Sequence, residues 1–249
     1  MLLGEPQPTP WDLHFSLFGI PVRVHPFFWV VALLLGFGGS PQLIYLFVWV
    51  AAVFLAILVH ELGHAVVMRS YGFAPRITLY GMGGLASYGP SYGSRGSDTW
   101  GQILISAAGP GAGFLLAAVI AVLLTVLGPG VEIVLIADFL PSVYVGGLVG
   151  SRIFTLFIQY VLFVCVFWGL INLLPVYPLD GGQIARELFL RANPHDGIRQ
   201  SLILSIVTGV AVAVIALMTL GDVFIAVMFG LLAYFSYAAL QAYTGRGPW

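Results

Sequence analysis

The chain of 249 residues is 60% hydrophobic and only 8% charged, with a mean hydropathy of +1.02. Soluble domains carry about 25% charged residues, so the composition excludes an ordinary soluble domain and places the chain in the lipid bilayer as a polytopic membrane protein. The net charge of -1 offers no global attraction for nucleic acid or for acidic ligands.

All nine basic residues are arginine. The single cysteine, Cys165, lies in an apolar run, which rules out an intrachain disulfide and argues against a thiolate metal site. The start, "MLLGEPQPTPWD", has neither a positive n-region nor a small-residue cleavage site. The first spanning segment is therefore expected to act as its own insertion signal.

A spanning helix needs roughly 20 mostly apolar residues. Six segments meet or approach this, at about residues 26–37, 43–68, 103–127, 153–174, 202–220 and 223–243. The first is short unless residues 18–24 contribute. The expected fold is an all-α polytopic membrane protein of about six helices, forming one domain over residues 1–249. Between the second and third segments, "ITLY" and "LASY" are β-prone pieces in Gly- and Ser-rich sequence. They predict a short membrane-associated hairpin or strand followed by a mobile loop. Residues 128–152 hold a short apolar stretch between Gly and Pro breakers, read as an interfacial helix.

Arginine placement sets the orientation. With the N-terminus in the cytoplasm, Arg23, Arg69, Arg76, Arg95, Arg186, Arg191, Arg199 and Arg246 lie inside and only Arg152 lies outside. This asymmetry supports six spans with both termini cytoplasmic.

The second segment ends in "VHELGHAVVMRSYG". "HELGH" matches H-E-x-x-H, which on a helix projects His60 and His64 from one face towards one metal ion. Glu61 points about 100° away from His60, so it can reach a metal-bound water without ligating the metal. Two imidazoles and a water suit Zn²⁺, which as a catalytic ion takes three protein ligands and keeps one position open. Each charged group inside such a helix costs about 2.5–3.5 kcal/mol or more, so three ionisable residues in five positions mark function.

A third ligand is required. His14, His25, His195 and acidic residues near span ends are candidates. Asp180 stands out in "NLLPVYPLDGGQ" at the exit of the fourth segment, where Pro175 and Pro178 break the helix and Gly181 and Gly182 permit close approach. His60 precedes Arg69 by nine residues, about 13 Å from the cytoplasmic end, and Asp180 also sits at a cytoplasmic end. His25 reads as a membrane-boundary residue and His195 as a solvated loop residue.

"HELGH" in one span and "NLLPVYPLDGG" at the end of another resemble the site-2 protease family of intramembrane zinc metalloproteases. "GIPVRVHP" is similar to the family's N-terminal segment, and "AAGPGAG" (residues 107–113) to its small-residue third-helix motif. The resemblance covers most of the chain. It implies one zinc ion on His60, His64 and Asp180, with Glu61 as general base and then acid. It also implies that Asn172 steadies substrate or oxyanion, and that the substrate is a single-pass transmembrane protein paired along the "ITLYGMGGLASYG" stretch. Two departures stand out: Gly113 occupies a place where the family often has Asn, and neither a PDZ nor a CBS module is seen.

The mechanism expected from these residues is hydrolysis of a transmembrane peptide bond by a zinc-bound water that Glu61 activates. The rival readings are a zinc transporter and a catalytically silent partner-binding relative. A transporter would want further metal ligands along a path, yet the outer halves of the spans hold no second His/Asp/Glu cluster. A silent relative would have lost the Glu or a ligand.

Overall fold

The structure is a computed structural model that describes residues 6–36, 42–81, 83–88, 98–136 and 140–245. The described residues divide into two compact units. The first comprises those within Met1–Gly96, Ala108–Ile136 and Pro141–Gly169, and the second those within Ser97–Ala107, Ala137–Leu140 and Leu170–Trp249.

The first unit opens with β1 (Leu13–Leu17) and β2 (Ile20–Val24), an antiparallel hairpin. Its two-residue loop has Phe18 at φ 51° and Gly19 at φ 77°, the two positive angles of a type I′ turn. A left-handed Phe is uncommon; here its carbonyl accepts a 2.7 Å hydrogen bond from Arg69 Nη1. Strand alternation buries Ile20, Val22 and Val24 and turns Arg23 outward to Asp12, 3.3 Å away.

Residues 18–24 therefore do not lengthen the first span, as the sequence allowed; they are turn and strand. The helix after them, α1 (Pro26–Gly36), is 11 residues long, about 16 Å at 1.5 Å per residue, or half a bilayer core. Residue 37 lies outside the described residues. The Nδ1 of His25 accepts the Phe27 N–H at 3.1 Å, satisfying one of the orphan donors at the start of α1.

Next comes α2 (Leu43–Ser70), 28 residues and about 42 Å long. It ends in a Schellman arrangement. Gly72, at φ 84°, donates to Arg69 O and Phe73 donates to Met68 O, while Phe73 and Met68 are both buried. The chain then enters β3 (Pro75–Tyr80), parallel to β2 with Val22 opposite Ile77, and returns as β4 (Gly83–Tyr88), antiparallel to β3. The predicted hairpin is thus real but belongs to a four-stranded sheet of order β1-β2-β3-β4. The loop expected after it lies outside the described residues. Packing of α1 on α2 uses Phe28, Ala32, Ala52 and Val53, with Trp29 stacked on Phe54 at 5.3 Å.

Helices α3 (Thr99–Leu127) and α4 (Arg152–Asn172) contribute residues to both units. Between them, the interfacial helix expected in residues 128–152 is replaced by a hairpin of β5 (Val131–Ile136) and β6 (Leu140–Val145). Val131, Ile133 and Val134 favour extended backbone, Pro141 cannot continue a helix, and Gly128 and Gly130 take positive φ on the way in. Gln159 of α4 completes the edge of β6: its Oε1 accepts from Val145 N and its Nε2 donates to Val143 O, both at 2.9 Å.

The second unit holds α5 (Asp180–Ala192), α6 (Gly197–Ile215) with a π-helical extension at Ala216–Leu220, and α7 (Val223–Thr244). Gly221, at φ 64°, turns the chain, and Asp222 caps α7 by accepting the Ile225 N–H at 3.0 Å. In all, five helices among the described residues are long and apolar enough to cross a membrane. The chain is a multi-pass membrane protein.

Asp12 gives a pH-dependent test of the sheet. Burial works to raise its carboxyl, but hydrogen bonds from the Thr9 hydroxyl and amide, with the charges of Arg23 and His25, outweigh that and hold it below the usual 3.8. A carboxyl depressed on folding adds stability above its unfolded pKa and loses it as pH falls through the folded one. Below about pH 3.8 the protein should therefore lose thermal stability in detergent, and Asp12→Asn should flatten that decline while lowering the melting temperature at neutral pH. An unchanged acid limb in Asp12→Asn would refute the assignment.

Candidate functional site

Within α2, His60, Glu61 and His64 are all buried, at 5–6% exposure. One helical turn separates the two histidines, so their rings share a face, with centroids 4.9 Å apart and planes at 79°. Their Nε2 atoms lie 3.2 Å apart. Two nitrogens each bound at 2.0–2.1 Å to a tetrahedral zinc would be about 3.3 Å apart. The spacing of the pair thus fits one zinc ion.

The helix meets close neighbours on both sides of this turn. Gly63, the fourth residue of "HELGH", faces α3: a Cβ there would strike the Ala108 carbonyl and come within 2.7 Å of the Ala112 methyl. Glycine in a helix interior costs about 1 kcal/mol relative to Ala, and here the close α2–α3 packing offsets it. One residue further on α3, Gly109 lies directly over the imidazole edges. A Cβ there would strike His64 Nε2 and approach His60 Nε2 to 2.8 Å. The backbone of α3 thereby walls the space in front of both Nε2 atoms, and only glycine leaves room there. Fully buried Pro110 follows.

Glu61 leaves this face, as the helical offset predicts, and lies against the sheet. A Cβ on Gly84 of β4 would overlap its Cγ, Cδ and Oε1. The carboxyl group is therefore packed against the backbone of a strand that, among the described residues, has a hydrogen-bonded neighbour on one side only.

The second unit presents the other two residues read from the sequence. Asn172 is buried at the last position of α4, and Asp180 opens α5. The first turn of a helix favours negative charge. The turn between them is tight. A Cβ on Gly181 would strike Leu173 O, and one on Gly182 would come within 2.7 Å of Val176 O and Tyr177 N. "LDGG" is thus a packing requirement that seats the start of α5 on the 173–177 backbone.

Two imidazoles and one carboxylate, from His60, His64 and Asp180, make a donor set suited to zinc. The rival third ligands have other employment. His14 sits on β1 with its Nδ1 3.1 Å from Asp12 O, His25 caps α1, and His195 is exposed in a turn whose amides donate to Asn193 Oδ1. Gly84 and Gly109 were not singled out by sequence reasoning, because a glycine shows no chemistry until its neighbours are known.

Comparison with known proteins identifies the family. The family model of Peptidase family M50 matches residues 48–220, which include every site residue named above. A Synechocystis protein named as a candidate zinc metalloprotease is 29% identical over 200 residues, covering 74% of this chain and 46% of its own length. A zinc metalloprotease of Methanocaldococcus jannaschii is 25% identical over 176 residues, covering 70% of this chain and 44% of its own. The chain thus spans about half the length of these relatives. The solved structure of a site-2 protease from Methanocaldococcus jannaschii shares the fold, with a TM-score of 0.55 at 20% identity over 93% of this chain and 95% of that one. With more than half of its residues under the family model, this chain belongs to Peptidase family M50.

Proposed function

We propose that the protein is a zinc-dependent endopeptidase that cleaves within the transmembrane segment of a single-pass membrane protein, residues 1–249 serving as one catalytic domain. The observation that carries this reading is the buried His60–His64 pair, with Nε2 atoms 3.2 Å apart inside a 28-residue apolar helix, and Glu61 beside it. Asp180 supplies the third ligand in this reading.

Zinc, when bound, supplies a Lewis acid that polarises the scissile carbonyl and acidifies water. Glu61 accepts a proton from the attacking water and returns it to the leaving amine, a base that becomes an acid. Its packing on Gly84 restricts where the carboxylate can swing. The Asn172 side chain donates to the oxygen on which negative charge develops, worth about 3 kcal/mol for a well-aimed neutral donor. A peptide bond inside a helix is shielded by its own hydrogen bonds, so the substrate must unwind. The side of β4 away from β3, unpaired among the described residues, offers backbone groups for an extended segment to pair with, on the strand whose Gly84 packs against Glu61.

Both termini face the cytoplasm in this reading. The arginine asymmetry supports it; the sheet, in which β2 leads into α1 and α2 leads into the parallel strand β3, holds the start of α1 and the end of α2 together on one side.

The test is cleavage of a transmembrane peptide in vesicles by the purified full chain. A chelator should abolish cleavage and added zinc should restore it; undiminished cleavage without zinc would dismiss the reading.

A further inference from the structure

Asp180 is preceded by a non-helical turn whose backbone is held from two spanning helices. The Tyr177 N–H donates to Ser205 Oγ of α6 at 3.1 Å. The Tyr177 carbonyl receives a longer contact, 3.4 Å, from Ser236 Oγ of α7. Both serines are buried, at 2% and 0% exposure. Ser205 gives its proton to Ser201 O at 2.9 Å, so its lone pairs face Tyr177. Ser236 shares its proton between Leu232 O at 2.9 Å and Tyr177 O. A serine bonded back to the i−4 carbonyl is already satisfied in a helix. These two also reach the backbone of one residue, Tyr177, 28 and 59 residues away in sequence: Ser205 with a lone pair on its N–H, Ser236 with a shared proton on its carbonyl.

Non-helical backbone at membrane depth must be satisfied by protein or water, and at Tyr177 both the N–H and the carbonyl find protein partners. Gly182, packed on Val176 and Tyr177, then passes the placement of Tyr177 directly to the first turn of α5. We propose that Ser205, assisted by Ser236, is a positioning residue that fixes the turn carrying Asp180 and thereby sets the metal affinity of the site. The proposal rests on Asp180 being a zinc ligand. It makes α6 and α7 partners in metal binding, although neither contributes a ligand.

Zinc affinity of the full chain in detergent, measured by competition with a chromophoric chelator, tests this. Loss of a group that orients a ligand typically costs 10–100-fold in metal affinity, so Ser205→Ala should weaken zinc binding by about that factor, and Ser205→Thr should restore part of it. A double-mutant cycle separates positioning from general packing. In an Asp180→Ala background, Ser205→Ala should cause no further loss. Equal losses with and without the Asp180 carboxylate, or unchanged affinity in Ser205→Ala, would overturn the proposal. If Asp180→Ala itself binds zinc as the parent does, the ligand reading fails instead. Should Ser205→Ala not fold, Ser236→Ala carries the same cycle with a smaller shift.

Discussion

Replacing Glu61 with Gln is expected to lower the rate of peptide cleavage by about 10²–10⁴-fold, the range contributed by a positioned general acid–base group, while zinc content stays that of the parent. The amide fills the same space against Gly84 of β4, so the packing of α2 on the sheet is kept. It cannot accept the proton that hydrolysis releases. Glu61 is buried, and a neutral amide is cheaper to bury than a carboxylate, so the melting temperature should hold or rise. Activity lost together with zinc would point instead to a structural part for the carboxylate. Full cleavage by the variant would dismiss Glu61 as the base.

The second large effect is expected at Gly109. Alanine is the better helix former by about 1 kcal/mol, so by propensity alone Gly109→Ala should stabilise α3. The added methyl, however, strikes His64 Nε2 and crowds His60 Nε2. Overpacking of this kind costs about 1–3 kcal/mol, so the clash outweighs the gain in propensity, and the rings must rotate or α3 must withdraw. Either movement spoils the 3.2 Å spacing of the two nitrogens. Zinc per chain, measured by elemental analysis after dialysis at limiting zinc, should fall at least tenfold. The neighbouring Gly111→Ala is the control. A Cβ there meets nothing within 4 Å, and zinc should stay bound. Parent-like zinc content in Gly109→Ala would remove Gly109 from the wall of the site.

What could be read ahead of the structure came from side chains that are costly where they stand. Three ionisable groups in an apolar helix and an acid after two prolines announce themselves by composition and spacing, as do long apolar runs. The family is legible in the same few residues. Elements whose logic is relational were harder to read. Residues 20–24 alternate as a strand should, but β2 makes sense only once β3, some 50 residues later, lies beside it. The β5–β6 hairpin hid inside an apolar run short enough to suit either a helix or a strand, where periodicity does not decide. Gly84, Gly109 and Ser205 carry no chemistry visible in one dimension. Their parts come from what lies within a few ångströms.

The parallel pairing of Val22 with Ile77 also orders events during synthesis. The β1–β2 hairpin can close as soon as it leaves the ribosome, because its contacts are local. The inner edge of β2 must then wait for about 55 more residues, or about 3–11 seconds at 5–20 residues per second. In that interval α1 and α2 have to enter the bilayer. The unpaired edge is a template for wrong partners until β3 arrives. The histidine pair thus reaches its depth in the membrane before the strand against which Glu61 rests exists. On this order the helix that bears His60 and His64 is complete before the sheet beside it.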